Sequence, residues 1–306
     1  SYKEIVWLLS LLNTNDGRAK FGVREVFNGD GSFKINDDGD EIGKELLMRK
    51  ATGYVSFVRG ENPYTFPFRI WPAEFSPQNT YATLPKPSVQ LNGMAIRQPL
   101  EMLSIFLAQC GPEQQIGYDY IINHLKENVG KEAGRKMPDF ENMEAFGYTL
   151  LQRPLEALNM VYPDKRMEDT IVDPKDLVGK AGLSRIMKFK ESNSPIFRGE
   201  FEYKTNEYGR IFSPGEIGKY SGKIKNICDS IVNSEGVVLI YSQYIDGGVV
   251  PIALALEELG FKRAGTGSSL FKVEPTPGID SVTFKTKDKT QGDFNQASYI
   301  MITGDK

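Results

Sequence analysis

The 306-residue chain has few of the residues that mark disulfide-rich, zinc-binding or histidine-dependent proteins. Its two cysteines, Cys110 and Cys228, lie far apart without a paired spacing, so the sequence indicates neither a disulfide framework nor a zinc knuckle. Its one histidine, His124, lies in a helical pattern beside charged residues. We interpret His124 as a solvated or locally bonded side chain, and no Ser/His/Asp or Cys/His set can be assembled around it.

Long apolar runs and an excess of positive charge are also missing. No uninterrupted apolar run reaches the length of a membrane span, and acidic Glu4 lies where a signal peptide is basic. The formal net charge of −3 argues against a protein that is basic throughout, but it leaves room for a local basic groove. We therefore expect an intracellular protein that is neither secreted nor membrane-bound.

The usual nucleotide and calcium motifs are absent. The sequence has no phosphate loop of the form G-x-x-x-x-G-K-S/T. The stretch GTGSS, residues 265–269, follows a helical pattern and precedes a strand pattern, which is the reverse of the order that a phosphate cradle requires. The acidic run NDDGDE, residues 36–41, misses the EF-hand spacing. We interpret both stretches as loops and predict no metal site.

The segment from residue 210 onward alternates between helix and strand patterns. A helical pattern capped by Ser213 precedes Val237–Tyr241, which is apolar at every position and is typical of a strand covered on both faces. A second helical pattern ends at Gly260, and Ser298–Asp305 is predicted to be the next strand. This order predicts the α/β class with a partial parallel sheet.

The remainder of the chain is predicted to be largely helical. Apolar residues recur at helical spacing in residues 1–12, 44–58, 99–110, 114–129 and 141–161. Segments rich in proline, glycine and charge separate these patterns. We predict three regions, at residues 1–78, 79–209 and 210–306.

The candidate binding residues follow the two predicted strands. Loops at the carboxyl ends of parallel strands are where open α/β sheets bind ligands. Ser242, Gln243 and Tyr244 follow the first strand, and Thr303 and Gly304 end the second. Their hydroxyl, amide and aromatic groups suit a phosphate-sugar backbone, but they also suit ordinary strand ends. The preceding helix carries three lysines, which form either its solvated face or a phosphate-tracking surface: Lys219, Lys223 and Lys225.

Longer segments resemble a known family. Gly218–Phe261 contains VVLIYSQYIDGG at the place of helicase motif IV, and four further segments fit the same group: residues 51–72, 148–164, 177–189 and 299–306. Together they resemble superfamily-two helicases of the nucleocytoplasmic large DNA virus type, as in Mimivirus and algal viruses, which are distantly related to Swi/Snf-type translocases. The resemblance spans essentially the whole chain.

The resemblance implies that the chain is a central piece of such a helicase, from after motif III to just past motif IV. It implies an end of the first lobe with its junction, then an inter-lobe helical region, then an incomplete second RecA-like lobe. The phosphate loop, the Asp-Glu box and the arginine finger that the family needs for hydrolysis are not in this sequence. The resemblance therefore implies no catalytic residue and no cofactor here, with ATP and Mg bound by the intact protein.

The resemblance also assigns roles and partners. By position, Ser242, Gln243 and Tyr244 would contact the nucleic-acid backbone or support the cleft between lobes, and Thr303 and Gly304 resemble a backbone-contacting strand end. The implied partners are DNA or RNA, the missing lobe, and a second copy paired through the open sheet edge. The implied location is the host cytoplasm, virus factory or virion. A non-catalytic helicase-like adaptor or scaffolding module is the alternative.

Overall fold

The computed structural model describes residues 2–55, 69–98, 100–101, 103–131, 137, 139, 143–168, 170–189, 201–265 and 269–303. The chain divides into two compact units, Ser1–Arg69 and Ile70–Lys306. The predicted region boundaries after residues 78 and 209 stay predictions. Most of the segment at residues 51–72 that fits the helicase resemblance, namely residues 56–68, lies outside the described residues.

The first unit is helical and has its own small core. Its helices are α1 (Tyr2–Asn15), α2 (Val23–Val26) and α3 (Ile42–Ala51). The predicted first helix is confirmed, but its buried apolar face is Val6 and Leu9, whereas Ile5 and Leu8 are exposed. The buried side chain of Asn13 joins α1 to the end of α3, because its Nδ2 donates 2.8 Å hydrogen bonds to the carbonyl oxygens of both Leu9 and Lys50.

The second unit contains longer helices linked by irregular segments. Its α-helices are α4 (Pro72–Phe75), α5 (Pro112–Lys131), α6 (Met143–Ala157), α7 (Gly179–Ile186), α8 (Thr205–Tyr208), α9 (Ile217–Tyr220), α10 (Gly222–Val232) and α11 (Val250–Leu259). Short 3₁₀ helices lie at Pro77–Asn79, Lys165–Glu168, Pro174–Leu177 and Lys287–Lys289, and a π-helix lies at Ile245–Val249. The helices predicted at residues 114–129 and 141–161 are thus confirmed as α5 and α6.

Two small sheets complete the second unit. Strands β1 (Met187–Lys188) and β2 (Glu202–Tyr203) pair antiparallel. Strands β3 (Lys262–Arg263) and β4 (Ser298–Tyr299) pair parallel. The described residues therefore form a mixed helical fold with few strands, which agrees with the α/β class at a coarse level.

Helix α11 is the centre of the main core. Every residue of α11 from Val250 to Glu258 is buried, and the helix ends at Gly260, whose φ of +101° is left-handed. The prediction of this helix is confirmed, since Pro251 in its first turn and Gly260 at its end are start and stop residues. Side chains of α7, of α10 and of the β3–β4 pair belong to the same core as α11.

The prediction of one continuous helix capped by Ser213 is wrong in two respects, the start of the helix and its continuity. The chain turns at residues 211–216 and then forms α9 and α10, which are separated at Ser221. The hydroxyl of Ser221 accepts a 2.9 Å hydrogen bond from the amide of Ile224 and donates one to the carbonyl oxygen of Asn159. Ser221 is therefore the N-cap of α10 and also ties this helix to the chain after α6.

The helix predicted at residues 99–110 does not form in its described part. Residues 103–110 are irregular, and the amide of Leu107 donates a 2.7 Å hydrogen bond to the carbonyl oxygen of Asn79. The segment then passes close to the start of α10, where a Cβ atom on Gly222 would overlap the carbonyl oxygen of Gln109. Contacts with distant parts of the chain thus replace the local helical hydrogen bonds.

The strand predicted at Val237–Tyr241 does not form, because within the described ranges no neighbouring strand pairs with it. The strand predicted at Ser298–Asp305 is confirmed only for its first two residues, as β4. Within the described ranges, no helix combines the length and the apolar character needed to cross a membrane.

Candidate functional site

Two apolar stretches of strand-like sequence are exposed to solvent on the surface of the second unit. Val237, Leu239 and Tyr241 are 103%, 93% and 88% exposed, whereas Ile240 packs against the main core. In the part of the chain that the structure describes, residues 237–241 make no hydrogen bond. From Leu239 to Tyr241 the side chains alternate between solvent and core, as in a strand that lacks its neighbours, whereas Val238 is exposed like Val237.

The end of the second stretch repeats this arrangement. Met301 packs against the main core, and Ile300 and Ile302 are exposed. Thr303 is half-buried, and Gly304 lies outside the described residues. In the described residues no hydrogen bond links Thr303 to the candidate residues of the first stretch, Ser242, Gln243 and Tyr244.

The first stretch leads directly into a tight turn, residues 242–249, which we call the 242–249 turn. The Ser242 hydroxyl accepts a hydrogen bond from the Tyr244 amide and donates one to the Tyr244 carbonyl oxygen, both of 3.1 Å. A Cβ atom on Gly248 would overlap the Ser242 hydroxyl, so the turn requires glycine there. Gln243 is exposed and Tyr244 is half-buried. The Ser242 hydroxyl is therefore engaged in the turn, and Gln243 is the exposed polar side chain.

The turn is anchored to the helical part of the second unit. The hydroxyl of the fully buried Tyr162 donates a 2.7 Å hydrogen bond to the carbonyl oxygen of Asp246. Desolvation raises the pKa of Tyr162 well above its ordinary value, and the charges of Asp246 and Glu156 raise it further. A Cβ atom on Gly247 would lie 3.8 Å from the Cα of Gly179 at the start of α7. The turn is thus held from two sides.

The three lysines before the turn are engaged locally. Lys219 pairs with Glu216 at 2.8 Å and Lys225 with Asp229 at 2.5 Å. Lys223 donates a 2.6 Å hydrogen bond to Oδ1 of Asn159, and desolvation lowers its pKa. These contacts favour the solvated-face interpretation over the phosphate-tracking one.

An open cleft of about 790 Å³ lies between α5, α6 and the first turn of α7, and we call it the helical cleft. Its polar side chains come from α5, α6 and the chain around α7: His124, Asn128, Gln152, Arg153, Glu156, Lys175 and Lys180. Nδ1 of His124 lies 3.0 Å from Nδ2 of Asn128, which can only donate. His124 is therefore locally bonded, as predicted.

Two buried carboxylates were missed by sequence reasoning. Glu257 accepts hydrogen bonds from the Ser269 hydroxyl, from the amides of Leu270 and Phe271, and from the Tyr299 hydroxyl. The neighbouring Glu258 binds Tyr203 and Arg210. The sequence does carry one indication of this site, since two glutamates lie inside an otherwise apolar helix. A buried carboxylate needs hydrogen-bond or charged partners.

The two stretches interpreted as loops have structural roles. Residues 266–268 of GTGSS lie outside the described residues, and the amides that follow bind Glu257, the chain's own carboxylate. In NDDGDE, Oδ1 of Asn36 accepts hydrogen bonds from the amides of Asp38 and Asp40, which closes a turn. Among the described residues no three His, Cys, Asp or Glu side chains are grouped to hold a metal ion.

Three comparisons bear on the identity of the chain. It matches no protein-family model, no curated protein and no solved structure.

Proposed function

We propose that this chain is the central part of an ATP-dependent nucleic-acid helicase or translocase of superfamily two. In this proposal the second unit includes the beginning of a RecA-like lobe, and the 242–249 turn contacts the nucleic-acid backbone. The resemblance of Gly218–Phe261 to the motif IV region supports the proposal. The order of elements along the chain supports it as well. The exposed strand-like segment is followed by α11, then by β3 and then by β4, which is parallel to β3, and this is the order of an α/β lobe.

The observation that carries the proposal is the exposed Gln243 on an anchored turn. Side-chain amides are among the groups that bind phosphate and sugar oxygens in nucleic-acid complexes. The Ser242 hydrogen bonds fix the backbone on both sides of Gln243, so the backbone that carries this side chain is ordered before binding. Preorganisation of this kind reduces the entropy lost on binding.

In the intact protein, ATP and Mg would bind mainly to a lobe outside this sequence, and closure of the two lobes would move the 242–249 turn along the nucleic acid. This chain by itself is expected to hydrolyse no ATP, because it has no phosphate loop. Its partners would be DNA or RNA, the missing lobe, and a second copy paired through the bare strand-like stretches.

The test is nucleic-acid binding by the purified chain, measured by fluorescence anisotropy with labelled single-stranded DNA and RNA. Gln243→Ala should weaken binding by about threefold to tenfold, the loss of one or two exposed hydrogen bonds. Gln78→Ala is the matched control, since Gln78 is also exposed but lies in the 3₁₀ helix Pro77–Asn79. Equal affinities for the two variants would contradict a role for the turn.

A second candidate function is a non-catalytic helicase-like adaptor. The exposed apolar side chains of Val237, Leu239 and Tyr241 favour it, because contiguous bare apolar surface marks protein-interaction sites. The anisotropy experiment separates the two functions, since an adaptor would bind neither oligonucleotide.

A further inference from the structure

The helical cleft has the size and the lining of a small-molecule site. Its volume of about 790 Å³ lies within the range of roughly 300–1,000 Å³ for ligand pockets. Apolar side chains from α5 and from the chain before α7 contribute to its walls, among them Ile121, Val129 and Val178, all of which are buried. Ile121 and Val178 also belong to the small core that links α5 to the chain before α7. The walls therefore rest on packed elements.

The charged side chains of the cleft are mostly positive. Among the described residues, Arg153, Lys175 and Lys180 line it together with one carboxylate, Glu156. Lys175 pairs with Asp173 at 3.0 Å, but its side chain stays more than half exposed and can reach a ligand. Three cations around one apolar cleft contrast with the net charge of −3 of the whole chain. The described side chains that line the cleft carry a net positive charge, which favours an anionic ligand.

Donor groups complete the lining. The ring of His124, whose Nδ1 lies 3.0 Å from Nδ2 of Asn128, adds a polar group to the lining. The N-cap of α7 is Val178, which has no capping side chain, so the first-turn amides of Gly179 and Ala181 add to the positive potential that the three cations create. Arginine and lysine with neutral donors are the groups that proteins use for phosphate.

Glu156 acts against an anionic ligand. A Cβ atom on Gly179 would lie 3.0 Å from Oε2 of Glu156, so this carboxylate lies beside the first turn of α7. Its Oε1 accepts a 3.3 Å hydrogen bond from Gln152, which positions it at the wall of the cleft. Among the described lining residues, the one negative charge therefore lies where an incoming phosphate would approach.

We infer that the helical cleft binds a phosphate-bearing ligand of about the size of a nucleotide, with Arg153, Lys175 and Lys180 as phosphate ligands. The phosphate belongs either to a free nucleotide or to the backbone of a single-stranded nucleic acid. The inference does not depend on the proposed helicase function, because Gln243 does not line the cleft.

The experiment titrates the purified chain with pyrophosphate, with ADP and with a single-stranded oligonucleotide, using calorimetry. Arg153→Ala and Lys180→Ala should each weaken binding of the ligand by about threefold to tenfold, as expected for partly exposed charge pairs. Glu156→Gln should tighten it by about twofold to fivefold, because it removes the opposing charge. Lys126→Ala is the matched control, since Lys126 is exposed on α5 but does not line the cleft.

The outcomes are distinct. Binding of pyrophosphate or ADP that follows this order of variants identifies a free phosphorylated ligand, whereas binding of the oligonucleotide alone in the same order identifies a nucleic-acid phosphate. No heat with any probe up to about 1 mM, the upper end of ordinary substrate affinities, would overturn the inference. An equal loss in Lys126→Ala would overturn it as well, since it would show unspecific attraction. An effect of Gln243→Ala on the oligonucleotide bears only on the proposed function.

Discussion

The hydroxyl of Tyr162 and the carbonyl oxygen of Asp246 are joined by a 2.7 Å hydrogen bond that links the chain after α6 to the 242–249 turn. These residues are 84 positions apart in sequence. Tyr162 is fully buried, and its ring packs directly against Gly182 of α7. The turn that we propose as a nucleic-acid contact is therefore positioned by a tyrosine of the predicted helical region.

Removal of the Tyr162 hydroxyl should destabilise the second unit without changing its core. Tyr162→Phe leaves the Asp246 carbonyl without its donor, and we expect the free energy of unfolding to fall by about 1–2 kcal/mol. Urea unfolding followed by circular dichroism measures this difference. Tyr81→Phe is the control, because in the described residues the Tyr81 hydroxyl makes no hydrogen bond. Equal stability of the two variants would show that this hydrogen bond does not stabilise the second unit.

A methyl group at Gly182 should also be unfavourable. A Cβ atom there would overlap the ring of Tyr162, whereas one on Gly215 would meet no atom within 4 Å. Gly182→Ala should cost about 1–3 kcal/mol by overpacking, despite the better helix propensity of alanine. Gly215→Ala should change stability by less than about 0.5 kcal/mol. Calorimetric unfolding of both variants checks the difference, and a neutral Gly182→Ala would show that the Tyr162 ring has space to move.

Asp280 should make the stability of the second unit depend on acid pH. The amides of Thr283 and Asn295 donate hydrogen bonds to its carboxylate and lower its pKa to about 2. Because this pKa lies below the value of about 3.9 for an unfolded aspartate, the stabilisation is complete above pH ~4 and is lost as the pH falls towards 2.

Denaturant unfolding at pH 6 and at pH 3 measures this dependence. Asp280→Asn should show a smaller loss of stability between the two pH values than the unchanged chain. Asp293→Asn is the control in the same unit, since in the described residues Asp293 makes no hydrogen bond. An identical pH dependence in all three proteins would show that Asp280 is not the group responsible.

The bare strand-like stretch at residues 237–241 should cause self-association. Its unpaired backbone groups and apolar side chains are those of an open sheet edge, and a charge on such an edge prevents pairing. We expect Leu239→Lys to lower the average mass that sedimentation velocity gives at high protein concentration. Ile171→Lys is the control, because Ile171 is almost fully exposed but lies elsewhere. A wild-type chain that is monomeric at every concentration would contradict this prediction.

Sequence patterns were sufficient where local interactions decide the structure. Helix α11 was predicted with its end at Gly260, because its apolar sequence and its stop residue act within a few positions. The alternation of helix and strand patterns predicted a parallel sheet, but between Val237–Tyr241 and Ser298–Asp305. In the structure Ser298–Tyr299 pairs instead with β3, which was not predicted. The N-cap at Ser221 was missed, because the local pattern placed the cap of this helix at Ser213.

The patterns failed where contacts between distant parts of the chain decide the structure. Residues 237–241 have the composition of a buried strand, but a strand also requires neighbours, and composition does not supply them. The cations of the helical cleft were not predicted as a group, because Arg153 and Lys180 come from separate helices that meet only in the fold. The Ser242 hydroxyl was predicted as a ligand-binding group, and its use inside the turn depends on the close approach of Gly248.

The most direct test of the central claim is to map where nucleic acid contacts the chain. Ultraviolet crosslinking of a thio-substituted single-stranded oligonucleotide, followed by trypsin digestion and mass spectrometry, locates the attached nucleotide. We predict an adduct on the tryptic peptide Asn226–Lys262, at Gln243 or Tyr244. Adducts found only on other peptides, or none at a saturating oligonucleotide concentration, would contradict the claim that the 242–249 turn binds nucleic acid.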